Sequence, residues 1–214
     1  MTGRIELICG PMFSGKSTEL LRRANRFLLS QHSVLVIKYH KDNRYSEMCV
    51  ATHDKTTMKA ISCAKLLSPQ MKAKIADNSV IAIDEGQFFP DLVDFCELAA
   101  CSGCVVMVAA LDADFLRRPF AQIAELIPKA EKIDKLTAIC KECFKEASFS
   151  FRKVDSDALE LIGSKEVYIP VCRHCYFELQ REKESKRAMK TKISSAKTQP
   201  RAILSHSFEI EEET

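Results

Sequence analysis

The stretch that decides the fold is Gly10-Pro11-Met12-Phe13-Ser14-Gly15-Lys16-Ser17. A glycine, four free positions and then Gly-Lys-Ser form the pattern of a phosphate-binding loop. Residues 5–9 are mostly apolar and predict a buried strand, and residues 18–29 predict a helix. Such a loop cradles phosphate because its backbone N–H groups and the positive end of the helix dipole face the anion. We therefore predict that Lys16 reaches the β- and γ-phosphates and that the Ser17 hydroxyl binds Mg²⁺. The alternative is a chance glycine-rich turn.

A second nucleotide-binding signature follows residues 79–83, which predict another buried strand. Asp84 and Glu85 come directly after this strand. An acid at the end of a buried strand near a phosphate loop can bind Mg²⁺, which we predict for Asp84, and Glu85 is then placed to act on a nucleophile. The alternative is that the two acids cap a helix that begins near Phe89 and Pro90.

Two more continuous apolar stretches, residues 33–38 and 105–111, predict buried strands of a parallel sheet. In an open α/β sheet, ligands bind beyond the carboxyl ends of the strands. Asp42 and Arg44 follow the first of these strands and are therefore candidates for the site. The alternative for this segment is an ordinary solvated loop.

Aromatic side chains follow the second of these strands. Phe115 and Phe120 would lie at the ligand-binding edge, where aromatic rings can stack on a planar ligand. The alternative is that both belong to the core. Elsewhere, residues 48–62 suggest a short hairpin, and residues 64–76 predict a helix that Pro69 weakens.

The composition describes a globular protein of one domain, or one domain with an appendage. The chain has 214 residues, of which 46% are hydrophobic, and no apolar run approaches the length of a membrane span. The predicted first strand begins so early that we expect no signal peptide. Ten cysteines without a signal peptide suggest a reducing compartment, and we expect a cytoplasmic protein.

Two Cys-x-x-Cys pairs, Cys140-Lys-Glu-Cys143 and Cys172-Arg-His-Cys175, are separated by 28 residues. Four thiolates suit a closed, tetrahedral and structural zinc site. A redox role fits less well, because neither pair opens a helix in a βαβ unit. Cys101-Ser-Gly-Cys104 has the same spacing, but it follows a predicted helix at 91–100 and Ser-Gly indicates a helix stop. We predict that Cys101 and Cys104 are structural.

The segment between the two cysteine pairs is long enough to act as a lid. Residues 152–163 are polar, and residues 167–171 resemble a returning strand. A zinc ion that fixes both ends of such a loop lowers its closure entropy. The alternative is a surface loop far from any chemistry.

Charge is unevenly distributed along the chain. Residues 181–201 carry eight Lys or Arg and two Glu, a net of +6, whereas residues 202–214 carry four Glu, a net of −4. The remaining residues have a net charge of only +1, which argues against a large nucleic-acid surface on the globular part. We predict a phosphate-loop α/β domain at 1–138, a zinc-binding module at 139–177 and a mostly disordered tail at 178–214 with a short helix at its start.

The chain closely resembles the cytosolic thymidine kinases, the zinc-containing deoxynucleoside kinases with a RecA-like parallel-sheet core. The resemblance rests on the phosphate loop, on Ile-Asp-Glu-Gly-Gln-Phe-Phe at 83–89, on Ala-Ala-Leu-Asp at 109–112 and on the two late cysteine pairs. It covers about residues 3–177 and implies transfer of the γ-phosphate of ATP to the 5′-hydroxyl of thymidine and deoxyuridine, for nucleotide salvage in DNA synthesis. It also implies that Glu85 is the general base, that Ser17 and Asp84 bind magnesium, and that Cys140, Cys143, Cys172 and Cys175 bind zinc.

The resemblance also implies a set of contacts to each substrate. The ATP and phosphate contacts are Gly10, Pro11, Met12, Phe13, Ser14, Gly15, Lys16, Ser17, Asp42, Asn43, Arg44, Asp84, Gly86 and Gln87. The nucleoside contacts are Met12, Phe88, Leu111, Phe115, Phe120, Ser150, Leu159, Glu160, Leu161, Ile162, Gly163 and Tyr168. The loop between the cysteine pairs corresponds to the lasso that closes over the base in this family.

The family resemblance further implies a homotetramer that is inhibited by dTTP, with no membrane partner and no stable nucleic-acid partner. One position departs from the family pattern. Ser150 stands where a threonine is expected, and the lost methyl group loosens the fit by about 0.8 kcal/mol. We therefore expect the residue at position 150 to affect the selectivity among thymidine, deoxyuridine and deoxycytidine.

Two other functions use some of the same residues. A RecA-like ATPase that acts on nucleic acid would share the phosphate loop and the strand-end acids, but the globular part is nearly neutral and the chain is short for a motor. An interaction module with a vestigial phosphate loop would leave Lys16 and Ser17 without a purpose. A nucleoside kinase accounts for all of these features.

Overall fold

A computed structural model of the chain describes residues 2–41, 49–51, 57–154 and 167–197. Its strands, in chain order, are β1 (Arg4–Cys9), β2 (Val34–Tyr39), β3 (Cys49–Ala51), β4 (Thr57–Lys59), β5 (Ile61–Cys63), β6 (Val80–Ile83), β7 (Val105–Ala110), β8 (Lys132–Lys135), β9 (Ala138–Ile139), β10 (Glu146–Ala147), β11 (Phe149–Arg152) and β12 (Tyr168–Val171). Its helices are α1 (Lys16–Leu29), α2 (Pro69–Asp77), α3 (Leu92–Cys101), α4 (Ala121–Leu126) and α5 (Arg173–Lys197).

The main sheet has six parallel strands in the order β5-β2-β6-β7-β1-β8. The carboxyl ends of these strands therefore share one edge, where the loops after β1, β2, β6 and β7 meet. Strand β7 lies between β1 and β6, so the phosphate loop and the acids after β6 extend from strands that flank β7. This architecture confirms the predicted α/β fold with a parallel sheet.

Helices cover both faces of the sheet because successive strand residues point to opposite sides. In β1, Leu7 joins the core cluster that contains residues of α2, α3 and α4, whereas Ile8 joins the cluster that contains Leu20 and Leu21 of α1. Strand β7 is buried along its whole length. This accounts for its continuous apolar sequence, as expected for a central strand of a parallel sheet.

Several local predictions need correction. The helix predicted at 64–76 begins only at Pro69, because proline lacks an N–H and suits the first turn, and Ser68 caps the helix by accepting a hydrogen bond from the Met71 N–H. The excursion at 48–62 does contain a hairpin, β3–β4, but its end forms β5 of the main sheet. The edge strand β8 and helix α4 were not predicted.

The turn at Cys101–Cys104 has the predicted structural role. Helix α3 ends at Cys101, and Gly103 has a φ of 94°, a left-handed conformation that glycine adopts readily. The Cys104 Sγ lies 3.2 Å from the Asn78 carbonyl oxygen. These two cysteines are not part of any metal-binding cluster within the residues that the structure describes.

The chain divides into two compact units, Met1–Tyr176 and Phe177–Thr214. The predicted boundary at 138 within the first unit stays a prediction. In the tail, α5 extends to Lys197 and is longer than the short helix that the sequence suggested. Residues 198–214 of the predicted disordered tail lie outside the described residues.

Among the helices that the structure describes, we find none with the length and apolar character that a membrane span requires.

Candidate active site

The phosphate loop occupies the turn between β1 and α1. Gly10 has a φ of 146°, and a Cβ atom there would lie 2.4 Å from the Leu136 carbonyl oxygen, so a larger residue would not fit. Gly15 has a φ of 83° and precedes the first residue of α1. The Lys16 Nζ and the Ser14 Oγ both donate to the Pro11 carbonyl oxygen, at 2.7 and 2.9 Å. The loop is therefore curled on itself, as a phosphate cradle requires.

Asp84 faces this loop from the end of β6. The Ser17 Oγ donates to Asp84 Oδ1 at 2.9 Å and lies 3.1 Å from Oδ2. Asp84 is only 4% exposed. A buried carboxylate paired with the hydroxyl of the phosphate loop provides two oxygen donors of the type that Mg²⁺ prefers. The structure thus brings together the two residues predicted to bind magnesium.

Glu85 is held in a defined position by its neighbours. Its φ is 54°, an uncommon value for a residue with a side chain, and such strain occurs often at functional sites. The Gln87 Nε2 donates to Glu85 Oε2 at 2.6 Å, while the Gln87 Oε1 accepts from the Leu111 N–H at 2.9 Å. Gln87 therefore links the Glu85 carboxylate to the loop that follows β7.

The capping alternative for the two acids does not hold. Helix α3 begins at Leu92, and the residue at its N-cap position is Asp91 rather than either of the two acids. A short 3-10 turn, Gly86–Phe88, separates the acids from α3. The acidic residue next to the helix start is Asp91, and its carboxylate accepts from the Leu66 and Leu67 N–H groups.

Two side chains near the phosphate loop, Lys135 and Cys9, have raised pKa values. The Lys135 Nζ lies 2.8 Å from Asp112 Oδ2, and this hydrogen bond raises the pKa of Lys135. Burial is the main cause that raises the pKa of the Cys9 thiol, directly before the phosphate loop. The Cys9 side chain is therefore neutral near pH 7 and packs as a small apolar residue.

Aromatic rings form a second wall at the carboxyl edge. The Phe88 ring stacks on Tyr39 with centroids 5.2 Å apart and meets Phe120 edge-on at 6.2 Å. Phe88, Phe115 and Phe120 are all half-buried rather than part of the fully buried core. Phe120 also packs against the core cluster on one face of the sheet, so the core alternative stays open for it. Contact of these half-buried rings with a planar ligand stays a prediction.

Ser150 connects strand β11 to the phosphate loop. Its Oγ accepts a hydrogen bond from the Met12 N–H at 2.9 Å, across 138 positions of the chain. Ser150 lies on β11, which pairs with β12 in a small antiparallel sheet. The predicted nucleoside contacts Met12 and Ser150 are thus adjacent. Their hydrogen bond joins strand β11 to the phosphate loop.

Tyr168, at the start of β12, is held by an arginine. The Arg152 Nη2 and Nε donate to the Tyr168 hydroxyl oxygen at 2.7 and 3.1 Å. The guanidinium carbon of Arg152 lies 3.6 Å from the centroid of the Phe115 ring. Two residues predicted to contact the nucleoside therefore share one buried partner.

The four cysteines of the two late pairs come together as predicted. The Sγ atoms of Cys140, Cys143, Cys172 and Cys175 all lie within 4.8 Å of one another. At a Zn–S distance of about 2.3 Å, sulfurs at the corners of a tetrahedron lie about 3.8 Å apart. The Cys143 and Cys172 Sγ atoms are 3.6 Å apart, so the arrangement fits a tetrahedral metal ion.

Some predicted contacts lie outside the described residues. These are Asp42, Asn43, Arg44, Leu159, Glu160, Leu161, Ile162 and Gly163. The ends of the predicted lasso are described, and they are joined by a hydrogen bond from the Lys153 N–H to the Val167 carbonyl oxygen at 2.9 Å.

Sequence reasoning missed Tyr39 and Arg152. Tyr39 directly follows the strand predicted at 33–38 and is the last residue of β2, so its position at the carboxyl edge could have identified it. Arg152 lies two positions after Ser150 in Phe-Ser-Phe-Arg, so strand alternation places both on one face. An arginine on the same strand face as a predicted contact residue was the available clue.

The sequence is similar to those of known proteins over most of its length. The profile of the thymidine kinase family matches residues 3–176. The thymidine kinase of vaccinia virus (strain Western Reserve) is 52% identical over 176 residues, which cover 82% of this chain and 98% of the viral protein. The thymidine kinases of monkeypox virus and of variola virus (isolate Human/India/Ind3/1967) have the same identity over the same lengths. The matched region contains the phosphate loop, the two acids and all four clustered cysteines.

Proposed function

Because the chain belongs to the thymidine kinase family, we propose that it transfers the γ-phosphate of ATP to the 5′-hydroxyl of thymidine, and also of deoxyuridine. The product would be a 5′-monophosphate for DNA synthesis. The observation that carries the proposal is the pairing of Ser17 with Asp84 directly beside Glu85. This geometry supports a metal–nucleotide site next to a carboxylate that can accept a proton.

On the donor side, the backbone N–H groups of the phosphate loop and the Lys16 ammonium bind the β- and γ-phosphates. To do so, the Lys16 ammonium exchanges its hydrogen bond to the Pro11 carbonyl oxygen for a hydrogen bond to a phosphate oxygen. Ser17 and Asp84 would hold Mg²⁺, which when bound neutralises part of the phosphate charge. The roles of these residues rest on their geometry and on the family resemblance.

On the acceptor side, Glu85 accepts the proton of the 5′-hydroxyl while the 5′-oxygen forms its bond to the γ-phosphorus. The bond from the γ-phosphorus to the bridging oxygen breaks, and ADP leaves. Gln87 holds the Glu85 carboxylate in place through its Nε2. A base that is already oriented requires little reorganisation when the reaction occurs.

The test of this function uses the purified chain with γ-labelled ATP and a panel of thymidine, deoxyuridine and deoxycytidine. Appearance of label in the thymidine 5′-monophosphate is the expected result. A parallel reaction contains single-stranded DNA and no nucleoside. Release of free phosphate that DNA stimulates, without any transfer to nucleosides, would contradict the proposal.

We also propose that the four-cysteine site holds one structural Zn²⁺. Four thiolates leave no coordination position for water, so the ion supports the fold rather than the chemistry. The site clamps β9 and β10 to the β11–β12 sheet that carries Ser150 and Tyr168, since Cys140 and Cys172 directly follow β9 and β12. Zinc would thereby stabilise the positions of Ser150 and Tyr168 on the nucleoside side of the site.

Replacing Cys172 with serine is expected to lower the zinc content from about one ion per chain to a small fraction of that value. Thymidine phosphorylation falls with it, because the β11–β12 sheet loses its anchor. The measurement is metal analysis of the purified protein, paired with the rate. Cys101→Ser is the matched control, since Cys101 is an exposed thiol outside the cluster. Equal zinc content in both variants would rule out this site.

Ser150→Ala is expected to lower kcat/KM for thymidine about tenfold, because the Met12 N–H loses its acceptor at the junction of the two halves. Ser150→Thr keeps the hydroxyl and adds one methyl group, so its effect should stay within about fourfold. Both variants are measured with thymidine and deoxyuridine. Equal losses in the two variants would show that the hydrogen bond is not what matters.

Four further properties are proposed on the family resemblance. They are a homotetrameric assembly, inhibition by dTTP, a cytoplasmic location and the lack of a stable nucleic-acid partner. The near-neutral charge of residues 1–180 supports the last of these.

A further inference from the structure

Arg152 is among the largest fully buried side chains that the structure describes, with only 1% of its surface exposed. Burying a guanidinium is unfavourable unless hydrogen bonds and favourable charge interactions replace the lost water. Exposed arginines on α1 and α5 lie at the surface of the same protein and carry no such cost. The reason for a charge in this position must therefore lie in the contacts that it makes.

The contacts of Arg152 point to that reason. Its Nη2 and Nε both donate to the Tyr168 hydroxyl oxygen, and its guanidinium lies over the Phe115 ring. Tyr168 is the residue directly opposite Arg152 in the β11–β12 ladder, whereas Phe115 lies in the loop after β7. One side chain thus joins the small sheet to the carboxyl edge of the main sheet.

The planar shape of the guanidinium makes this joint rigid. It can stack flat on one aromatic face while its N–H groups donate in its own plane, which a lysine ammonium cannot do. Because arginine has no acceptor, the Tyr168 hydroxyl must direct its own proton away from Arg152. Arg152 consequently fixes both the position of the Phe115 ring and the orientation of the Tyr168 hydroxyl.

We propose that Arg152 is the positioning residue of the nucleoside pocket, which holds Phe115 and Tyr168 in the geometry that thymidine requires. This inference rests on the proposed function, because it concerns the acceptor of that reaction. Arg152 acts through its two aromatic neighbours, whereas Lys16, Ser17 and Asp84 serve the nucleotide. Its loss should therefore affect thymidine binding far more than ATP binding or the rate at saturation.

The test compares Arg152→Met, Arg152→Lys and Tyr168→Phe with the unaltered protein. We expect Arg152→Met to raise KM for thymidine about 10- to 100-fold, as for loss of a charged hydrogen bond, with kcat within about threefold and KM for ATP unchanged. Arg152→Lys keeps the charge without the planar stack and should give an intermediate KM. Arg181→Met is the matched control, because Arg181 is exposed and its guanidinium lies in a surface ion pair, 3.2 Å from Glu178 Oε1.

A double-mutant cycle separates positioning from general damage. The part of the Arg152 effect that acts through the Tyr168 hydroxyl should be absent in a Tyr168→Phe background, so Arg152→Met should cost less there than in the unaltered protein. The loss that remains measures the contact with Phe115. A thymidine KM within twofold of the unaltered value in both Arg152 variants would overturn the proposal. So would parallel losses in kcat and ATP affinity, or a full additional loss in the double variant. If Arg152→Met does not fold, Arg152→Lys alone decides by the same KM criterion.

The activity of the unaltered protein separates failure of the proposed function from failure of the positioning role alone. If it transfers no phosphate to thymidine, the proposed function itself fails. If it does so and the Arg152 variants keep their thymidine KM, only the positioning role fails.

Discussion

Glu85→Gln is expected to lower the rate of thymidine phosphorylation by about 100- to 10,000-fold, the usual contribution of a general base. The amide has nearly the same shape as the carboxylate but cannot accept the proton of the 5′-hydroxyl. Gln87 and the backbone around residue 85 keep their places, since the new side chain still offers an oxygen to the Gln87 Nε2. ATP binding should therefore stay within about twofold of the original.

The measurement combines steady-state rates with direct titration of ATP by calorimetry. Glu97→Gln is the matched control, because Glu97 lies on α3 in a long surface ion pair, 3.5 Å from the Lys129 Nζ. We expect the control to retain its rate within about twofold. A Glu85→Gln variant with full activity would eliminate Glu85 as the base and turn attention to other groups at the carboxyl edge.

Much of the site was predictable because its residues occupy fixed places in a regular architecture. The loop Gly10–Ser17 must follow a strand and precede a helix, and Asp84 must end a buried strand, so local pattern was sufficient for both. The four cysteines were predictable for a similar reason, since paired Cys-x-x-Cys spacing has few other uses in a chain that is expected to lie in a reducing compartment.

Other elements escaped prediction for identifiable physical reasons. Strand β8 is an edge strand with the sequence Lys-Ile-Asp-Lys, largely exposed, so it lacks the apolar run that identified β2 and β7. Strand β5 has only three residues and no apolar run of its own, so its place in the main sheet depends on tertiary pairing with β2. Short segments of this kind show no pattern that distinguishes a strand from a loop.

Arg152 escaped for a different reason. Nothing in the composition of β11 marks one arginine as buried, and arginine is among the residues least often found fully buried. Its role arises from Phe115, which lies 37 positions earlier, and from Tyr168 on the partner strand. Pairwise contacts of this kind become visible only when the fold brings the three side chains together.

Among the residues that the structure describes, hydrogen bonds join the acceptor and donor halves of the site. The Met12–Ser150 hydrogen bond connects the phosphate loop to β11, and Gln87 connects Glu85 to the loop after β7. A change on one side can reach the other through these links. This predicts that variants of the phosphate loop affect the nucleotide step first and variants of β11 affect the nucleoside step first.

Asp84→Asn tests the nucleotide step. Asp84 is 4% exposed and its carboxylate accepts from the Ser17 hydroxyl, so the amide can preserve the hydrogen bond while removing the charge. We expect phosphorylation at saturating thymidine to fall about 100-fold or more, because a neutral side chain holds Mg²⁺ poorly and leaves phosphate charge less compensated. KM for thymidine should change little, since the aromatic wall is not altered.

The decisive measurement is the rate as a function of magnesium concentration. In Asp84→Asn, the concentration that gives half the maximal rate should rise about tenfold or more, and excess Mg²⁺ should recover part of the lost activity. Asp94→Asn is the matched control, because Asp94 is an exposed acid on α3, and its magnesium curve should coincide with that of the unaltered protein. If Asp84→Asn loses activity with an unchanged magnesium dependence, Asp84 supports the loop through Ser17 alone. Magnesium would then have to be held by residues outside this pair.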